Sequence, residues 1–255
     1  MDAVLNIYKQ HGETPLQATA RYARAHPEVK GARMTYAGRL DPMAEGVLVV
    51  LVGEKNKERD VYTGLDKEYE FDFVLGVETD TFDILGLVTR SSDTVPENAD
   101  LDTALKRYEG TISQAYPPYS SKVVNGTPLF ELARKGLLGS IELPRHEVTA
   151  HSIELVSTRS VSRDALRTMI IDSVAKVVGD FRQDAIIRAW EDFFSHTQRA
   201  EFTIYSARLS CGSGFYVRQL VADVGRDIGT GALTTRIVRT RVGEYHLKDS
   251  LRGEA

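Results

Sequence analysis

The chain has 255 residues, 42% of them apolar, and a formal net charge of −4, enough for one substantial core and too ordinary in composition for a disordered chain. The negative balance excludes a protein whose whole field gathers nucleic acid, so any RNA contact needs a local basic surface. The single cysteine, Cys211, excludes an internal disulfide and fits a reducing compartment. The start of the chain has no basic n-region and no long apolar core, which excludes a signal peptide. No apolar run approaches the ~20 residues that cross a bilayer, so a soluble, cytoplasmic protein is expected, with no membrane partner.

In chain order, residues 4–8 read as a short strand broken by Gly12 and Pro15, and Thr14 can cap a helix over 16–25. A turn then follows, built from Gly38, Asp41 and Pro42. Behind it, residues 47–52 form a valine-rich run between Gly46 and Gly53, the pattern of a strand buried on both faces. Asp41 therefore hangs on a loop anchored to a core strand, although Asp-Pro alone is also an ordinary helix start.

Residues 67–75 alternate strictly, with Tyr69, Phe71, Phe73 and Leu75 on the inner face and Glu68, Glu70 and Asp72 outside. The phenol of Tyr69 then looks into the core or into a cleft cut through it. Residues 76–86 carry Asp and Thr side chains suited to local backbone hydrogen bonds in a tight connection. A helix over 100–108 precedes the extended Pro117-Pro118 stretch. A short helix ends at Gly136, and a strand starts near Pro144.

His146 and His151 stand one residue too far apart for a zinc-binding helix, and Gly229-Thr230-Gly231 lacks the pattern of a dinucleotide loop. Helices are expected over 162–178 and 185–194, a strand over 202–209, and a helix over 217–228 stopped by Gly229. Arg218 falls in the first turn of that last helix, where the macrodipole disfavours a cation, so a nearby carboxylate is expected.

Several of these stretches share wording with one family. Gly38-Arg39-Leu40-Asp41-Pro42-Met43-Ala44-Glu45-Gly46-Val47-Leu48 resembles the catalytic loop of the TruB-type tRNA pseudouridine synthases, Gly-x-Leu-Asp-Pro-x-Ala-x-Gly-x-Leu. Lys67-x-Tyr69 matches the family's Lys-x-Tyr. Gly76 to Gly86 follows its Gly-x-x-Thr-Asp-Thr-x-Asp-x-x-Gly, and Cys211 to Gly225 its Cys-x-x-Gly-x-Tyr-x-Arg-x-Leu-x-x-Asp-x-Gly. Gln114 to Gly126 is also close, with Lys122 one place early. The resemblance extends over nearly the whole chain, in the family's order.

The resemblance implies a catalytic set of Asp41 as nucleophile, Tyr69 stacked on the target base and handling its proton, and Arg218 paired with Asp41. It also implies RNA contacts from Tyr36, Arg39, Lys67, Tyr119, Lys122 and Ile237. The implied fold is α+β, a mainly antiparallel mixed sheet with flanking helices and a central RNA cleft. The implied reaction is conversion of uridine to pseudouridine, at uridine 55 in the T-loop of tRNA, by attack at C1′ or addition at C6. It needs no metal, no cofactor and no obligate protein partner, and a monomer is expected.

Departures accompany the match. Tyr36 stands where the family has a histidine, and Arg39 stands where it has a small residue, wording closer to rRNA pseudouridine synthases. The alternatives are therefore a synthase for another RNA, or a non-catalytic RNA chaperone that keeps the fold. Residues 1–255 are expected to form one catalytic domain with a helical insertion at 158–198, and without the small C-terminal PUA domain common in bacterial members.

Overall fold

The valine run around Leu48 is the pivot of a nine-stranded sheet. The computed structural model describes residues 2–96 and 100–252. The first half of the chain gives β1 (Ala3–Lys9), α1 (Pro15–Ala25), β2 (Met34–Ala37), β3 (Ala44–Val52), α2 (Arg59–Gly64), β4 (Lys67–Leu75), β5 (Val77–Thr79), β6 (Val88–Ser91), α3 (Leu101–Lys106) and β7 (Gly110–Ala115). The second gives β8 (Val123–Val124), β9 (Thr127–Pro128), α4 (Leu129–Arg134), β10 (Arg145–Ser162), α5 (Arg163–Ala175), α6 (Gln183–His196), β11 (Glu201–Cys211), α7 (Val217–Asp227), β12 (Ala232–Val242) and β13 (Tyr245–His246). Among the described residues no helix is long and apolar enough to cross a membrane.

The strand order is β1-β3-β12-β4-β11-β10-β7, with β2 added beside β3 and β13 beside β12. Among the described residues, only the β3–β12 pairing in this sheet is parallel. One edge of β3 is covered by β1 along residues 46–52. The other edge is shared: β12 pairs with residues 44–46 and β2 with residues 49–52. The sheet therefore forks beside Val47, and the loop carrying Asp41 springs from that fork. The close approach of β12 explains Gly46. Its φ is +108°, and a Cβ there would lie 2.3 Å from the carbonyl oxygen of Arg239.

β4 keeps the expected alternation. Tyr69, Phe71, Phe73 and Leu75 join one apolar cluster with Leu220, Val221 and Val224 of α7. On the other face, Glu68, Glu70 and Asp72 pair with Arg241 of β12, Arg208 of β11 and Arg159 of β10. The three carboxylates on that face of β4 are thus matched by arginines of the same sheet.

Val74 faces the side opposite Tyr69, and there α5 and α6 pack. Leu166, Ile170, Val174, Ile186, Trp190, Phe193 and Phe194 share a cluster with Val74, Phe202, Ile204, Leu233 and Met43 of the Asp41 loop. Within 158–198 the helices occupy only Arg163–Ala175 and Gln183–His196. Residues 158–162 complete β10, paired with 201–205 of β11. Thr14 caps α1 through a reciprocal box with Gln17, Asp100 caps α3 and Ser162 caps α5, each as its residue type favours.

Candidate active site

Residues 38–43 connect β2 to β3 at the fork, where backbone carbonyls lose their strand partners. Two buried cations take those carbonyls over. Arg239 of β12, 1% exposed, donates from Nε to the carbonyl of Val47 at 2.8 Å, from Nη2 to Gly38 at 3.1 Å and from Nη1 to Arg39 at 3.5 Å. Lys9 of β1, fully buried, donates to the carbonyls of Gln10, Pro42 and Ala44 at 3.0, 3.3 and 2.5 Å. Burial pulls its pKa down to about 7, against the opposing pull of Glu13 and Asp41. The amide of Gly12 adds a bond to the Pro42 carbonyl at 2.9 Å. The loop is thereby fastened on both flanks of Asp41.

The expected guanidinium stands beside that carboxylate. Arg218 enters from the first turn of α7, 2% exposed, and its Nε donates to Asp41 Oδ2 at 2.8 Å. Its Nη1 donates to the carbonyl of Thr81, and its Nη2 to that of Tyr119 at 3.4 Å. Asp83 Oδ2 lies 3.7 Å from Nε. The connection over 76–86 does form local bonds: Thr81 Oγ1 and the Leu85 amide both donate to Asp83 Oδ1, and the Leu87 amide donates to Asp80. It also brings a second carboxylate to the arginine, beyond the local backbone bonds its letters suggest.

Burial pushes Asp83 up to about 6, with Arg218 pulling the other way and Asp41 adding to the rise. For Arg218, burial works against its charge, but Asp41 and Asp83 outweigh that and hold it above the ordinary arginine range.

Asp41 opens on a cavity of about 200 Å³ whose walls include Lys67, Tyr69, Tyr216, Arg218, Ile237 and Arg239. Tyr69 is 8% exposed, and burial raises its phenol pKa, opposed by the Arg239 guanidinium beside it. Ile237 and Tyr69 join the same apolar cluster from adjacent strands, so both stand on one face of the sheet.

An adjoining chamber of about 290 Å³ shares Arg39, Leu40, Asp41, Ser120, Ser121 and Arg218. Its far side is formed by Phe130, Arg134, Phe181 and Arg182. Exposed Arg39 reaches both spaces, and Tyr119 lines the larger one, its hydroxyl donating to Asp80 Oδ2 at 2.9 Å.

Three of the residues expected to meet RNA are occupied otherwise. The ammonium of Lys67 donates to the carbonyls of Thr63 and Leu65, so it ties down the end of α2 from the cavity wall. Tyr36 packs into the cluster of Ile7, Tyr22, Leu48 and Val50, outside both spaces, because β2 turns it toward α1. Lys122 is exposed and sits over the Tyr116 ring, 5.0 Å from its centroid, also outside both spaces.

Comparison with known proteins adds a second line. Residues 26–177 match the family described as TruB family pseudouridylate synthase, N-terminal domain. A protein named tRNA pseudouridine synthase B from Syntrophobacter fumaroxidans is 34% identical over 214 residues, covering 84% of this chain and 56% of its own length. The protein of that name from Moorella thermoacetica is 32% identical over 247 residues, covering 96% and 67%.

The chain thus spans a little over half to two thirds of these relatives. A chain in the crystal structure of a Cbf5-Nop10-Gar1 complex superposes with a TM-score of 0.56 at 18% identity, covering 95% of this chain and 49% of that one. At that identity the likeness bears on the fold, which is the α+β pseudouridine synthase fold that the sequence motifs imply.

Proposed function

The chain belongs to the TruB family of pseudouridylate synthases, and from that premise we propose that it isomerises uridine to pseudouridine in tRNA, at the T-loop. The observation that carries this reading is the Asp41–Arg218 pair at the mouth of a base-sized cavity. Arg218 engages Oδ2, while Oδ1 takes no hydrogen bond among the described residues. One oxygen is therefore anchored and the other is available to the substrate.

The uridine leaves its stack and enters between Tyr69 and Ile237. The free oxygen of Asp41, oriented by the guanidinium, acts as the nucleophile at C1′ or C6, and its bond to the nucleoside breaks again before the product leaves. The N1–C1′ bond breaks, the uracil turns, and a C5–C1′ bond forms. The proton on C5 departs and N1 ends with a proton, so the overall reaction neither gains nor loses atoms.

Tyr69 takes part as a neutral phenol, since burial keeps its proton on. It can accept the C5 proton only while passing its own along, to water or to a base nitrogen.

Asp41→Asn is expected to abolish pseudouridine formation in an unmodified tRNA transcript while binding of that transcript persists. Normal turnover by this variant would refute the assignment.

A further inference from the structure

The α5–α6 pair does more than fill the core beneath the sheet. Its connecting turn reaches the chamber beside Asp41 through Phe181 and Arg182. Arg182 has φ 66° and ψ 26°, a left-handed backbone that a non-glycine residue adopts at a cost of order 1–3 kcal/mol. The turn is held in that shape by Gln183, whose side chain accepts from the Phe181 amide and donates to the carbonyls of Val177 and Gly179.

The result is a guanidinium aimed at two targets. Nη1 and Nη2 donate to Asp80 Oδ2 and Oδ1 at 2.9 and 3.3 Å, and the group lies over the Tyr119 ring, 4.6 Å from its centroid.

Each target leads to Arg218. Asp80 precedes Thr81, whose carbonyl accepts from Arg218 Nη1. The carbonyl of Tyr119 accepts from Arg218 Nη2. A third tie lies on the far side of Asp83: the indole N–H of Trp190 donates to the Ile84 carbonyl at 3.0 Å. The helix pair therefore grips the 80–84 loop at both ends, and that loop holds two of Arg218's partners.

We propose that Arg182 is a positioning residue: it fixes Asp80 and Tyr119 so that Arg218 meets Asp41 in one orientation. The kinetic part of this inference rests on the proposed isomerisation; the structural part does not. Loss of Arg182 acts on the turnover step and leaves RNA affinity nearly unchanged. The ion pair Arg167–Glu191 of the same two helices lies away from the loop and has no such effect.

The test compares Arg182→Met, Arg182→Lys, Asp80→Asn and Arg167→Met, each first checked for unchanged thermal unfolding. Asp80→Asn retains an acceptor for the Leu87 amide and loses the charge. With a tRNA transcript as substrate, Arg182→Met should lower kcat about 30-fold with KM within about twofold, the scale of a small misplacement at a reacting centre. Arg182→Lys should recover much of the loss, Asp80→Asn should add little to Arg182→Met, and Arg167→Met should match the wild type.

A readout independent of turnover is hydrogen exchange at the Arg218 Nε–H, followed by NMR, which should quicken about tenfold or more in Arg182→Met and not in Arg167→Met. Unchanged exchange with unchanged kcat would overturn the proposal, and so would a loss confined to KM, which would make Arg182 an RNA grip. Should Arg182→Met unfold early, the exchange of Asp80→Asn decides the matter by the same criterion. A wild-type protein with a rigid Arg218 but no turnover would count against the isomerase reading alone.

Discussion

Arg218 engages one carboxylate oxygen of Asp41, and the residues around the pair explain why that geometry holds. Arg218 makes three different hydrogen bonds from one guanidinium, so its plane is set by Asp41, Thr81 and Tyr119 together. Tyr69 contributes a protonated hydroxyl to the same space. Tyr69→Phe keeps the ring and removes that proton path. RNA affinity should be little altered, while product formation falls about 100-fold or more, measured by single-turnover assay.

Of this set, Asp41, Tyr69 and Arg218 were placed by the letters, as a turn on a buried strand, an inward aromatic and an arginine in an unfavourable helical turn, and singled out by the family resemblance. Lys9 and Arg239 were not. Their acceptors are backbone carbonyls, which every residue carries, and only the fork in the sheet reveals which carbonyls need a donor.

At the level of elements, periodicity accounts for most boundaries. β4 alternates because one face is buried, α1 and α5 carry apolar stripes behind fitting caps, and α6 carries its stripe behind Arg182, which makes no side-chain cap bond. The end of β10 escaped this reasoning. Its residues from Val156 onward are mostly exposed and show no apolar alternation, so pairing with β11 alone makes them a strand. The packing of Tyr36 was hidden for a related reason, since the face a strand residue takes depends on register that the letters do not reveal.

The β3–β12 junction offers the sharpest elemental test. Gly46→Ala would drive a methyl group into the Arg239 backbone, and the left-handed φ adds strain. It should destabilise the fold by more than about 1 kcal/mol in urea unfolding, well beyond a surface Gly→Ala change.

For the molecule as a whole, the net negative charge conceals a division of labour. Carboxylates on the outer face of β4 are matched by arginines, while Lys9 and Arg239, beside the Asp41 loop, are buried and spent on carbonyls. Burial also gives stability a characteristic pH dependence. Lys9 loses its proton near pH 7 in the fold and near 10.5 when exposed, and Lys67 near 8 instead of 10.5. Through those windows the unfolded chain holds more protons, so the contribution of both lysines to stability rises with pH.

Asp83 acts oppositely on the acid side. It keeps its proton to about 6 instead of 3.8, so its contribution falls as pH climbs through that interval. Urea midpoints should therefore rise from pH ~7 toward ~9.5, and Lys9→Met should lack part of that rise. An identical alkaline gain in the variant would contradict the role given to the buried ammonium.

The parallel seam between β3 and β12 also sets an order on the loop's assembly. Val47 and Arg239 are 192 positions apart, yet the guanidinium of one completes the loop built on the other. A chain emerging from the ribosome therefore holds Asp41 long before the clasp for its loop, because β12 follows the loop by most of the intervening fold. The loop takes its shape only when β12 slots home, and a polypeptide halted before that strand carries the carboxylate on an unfastened turn.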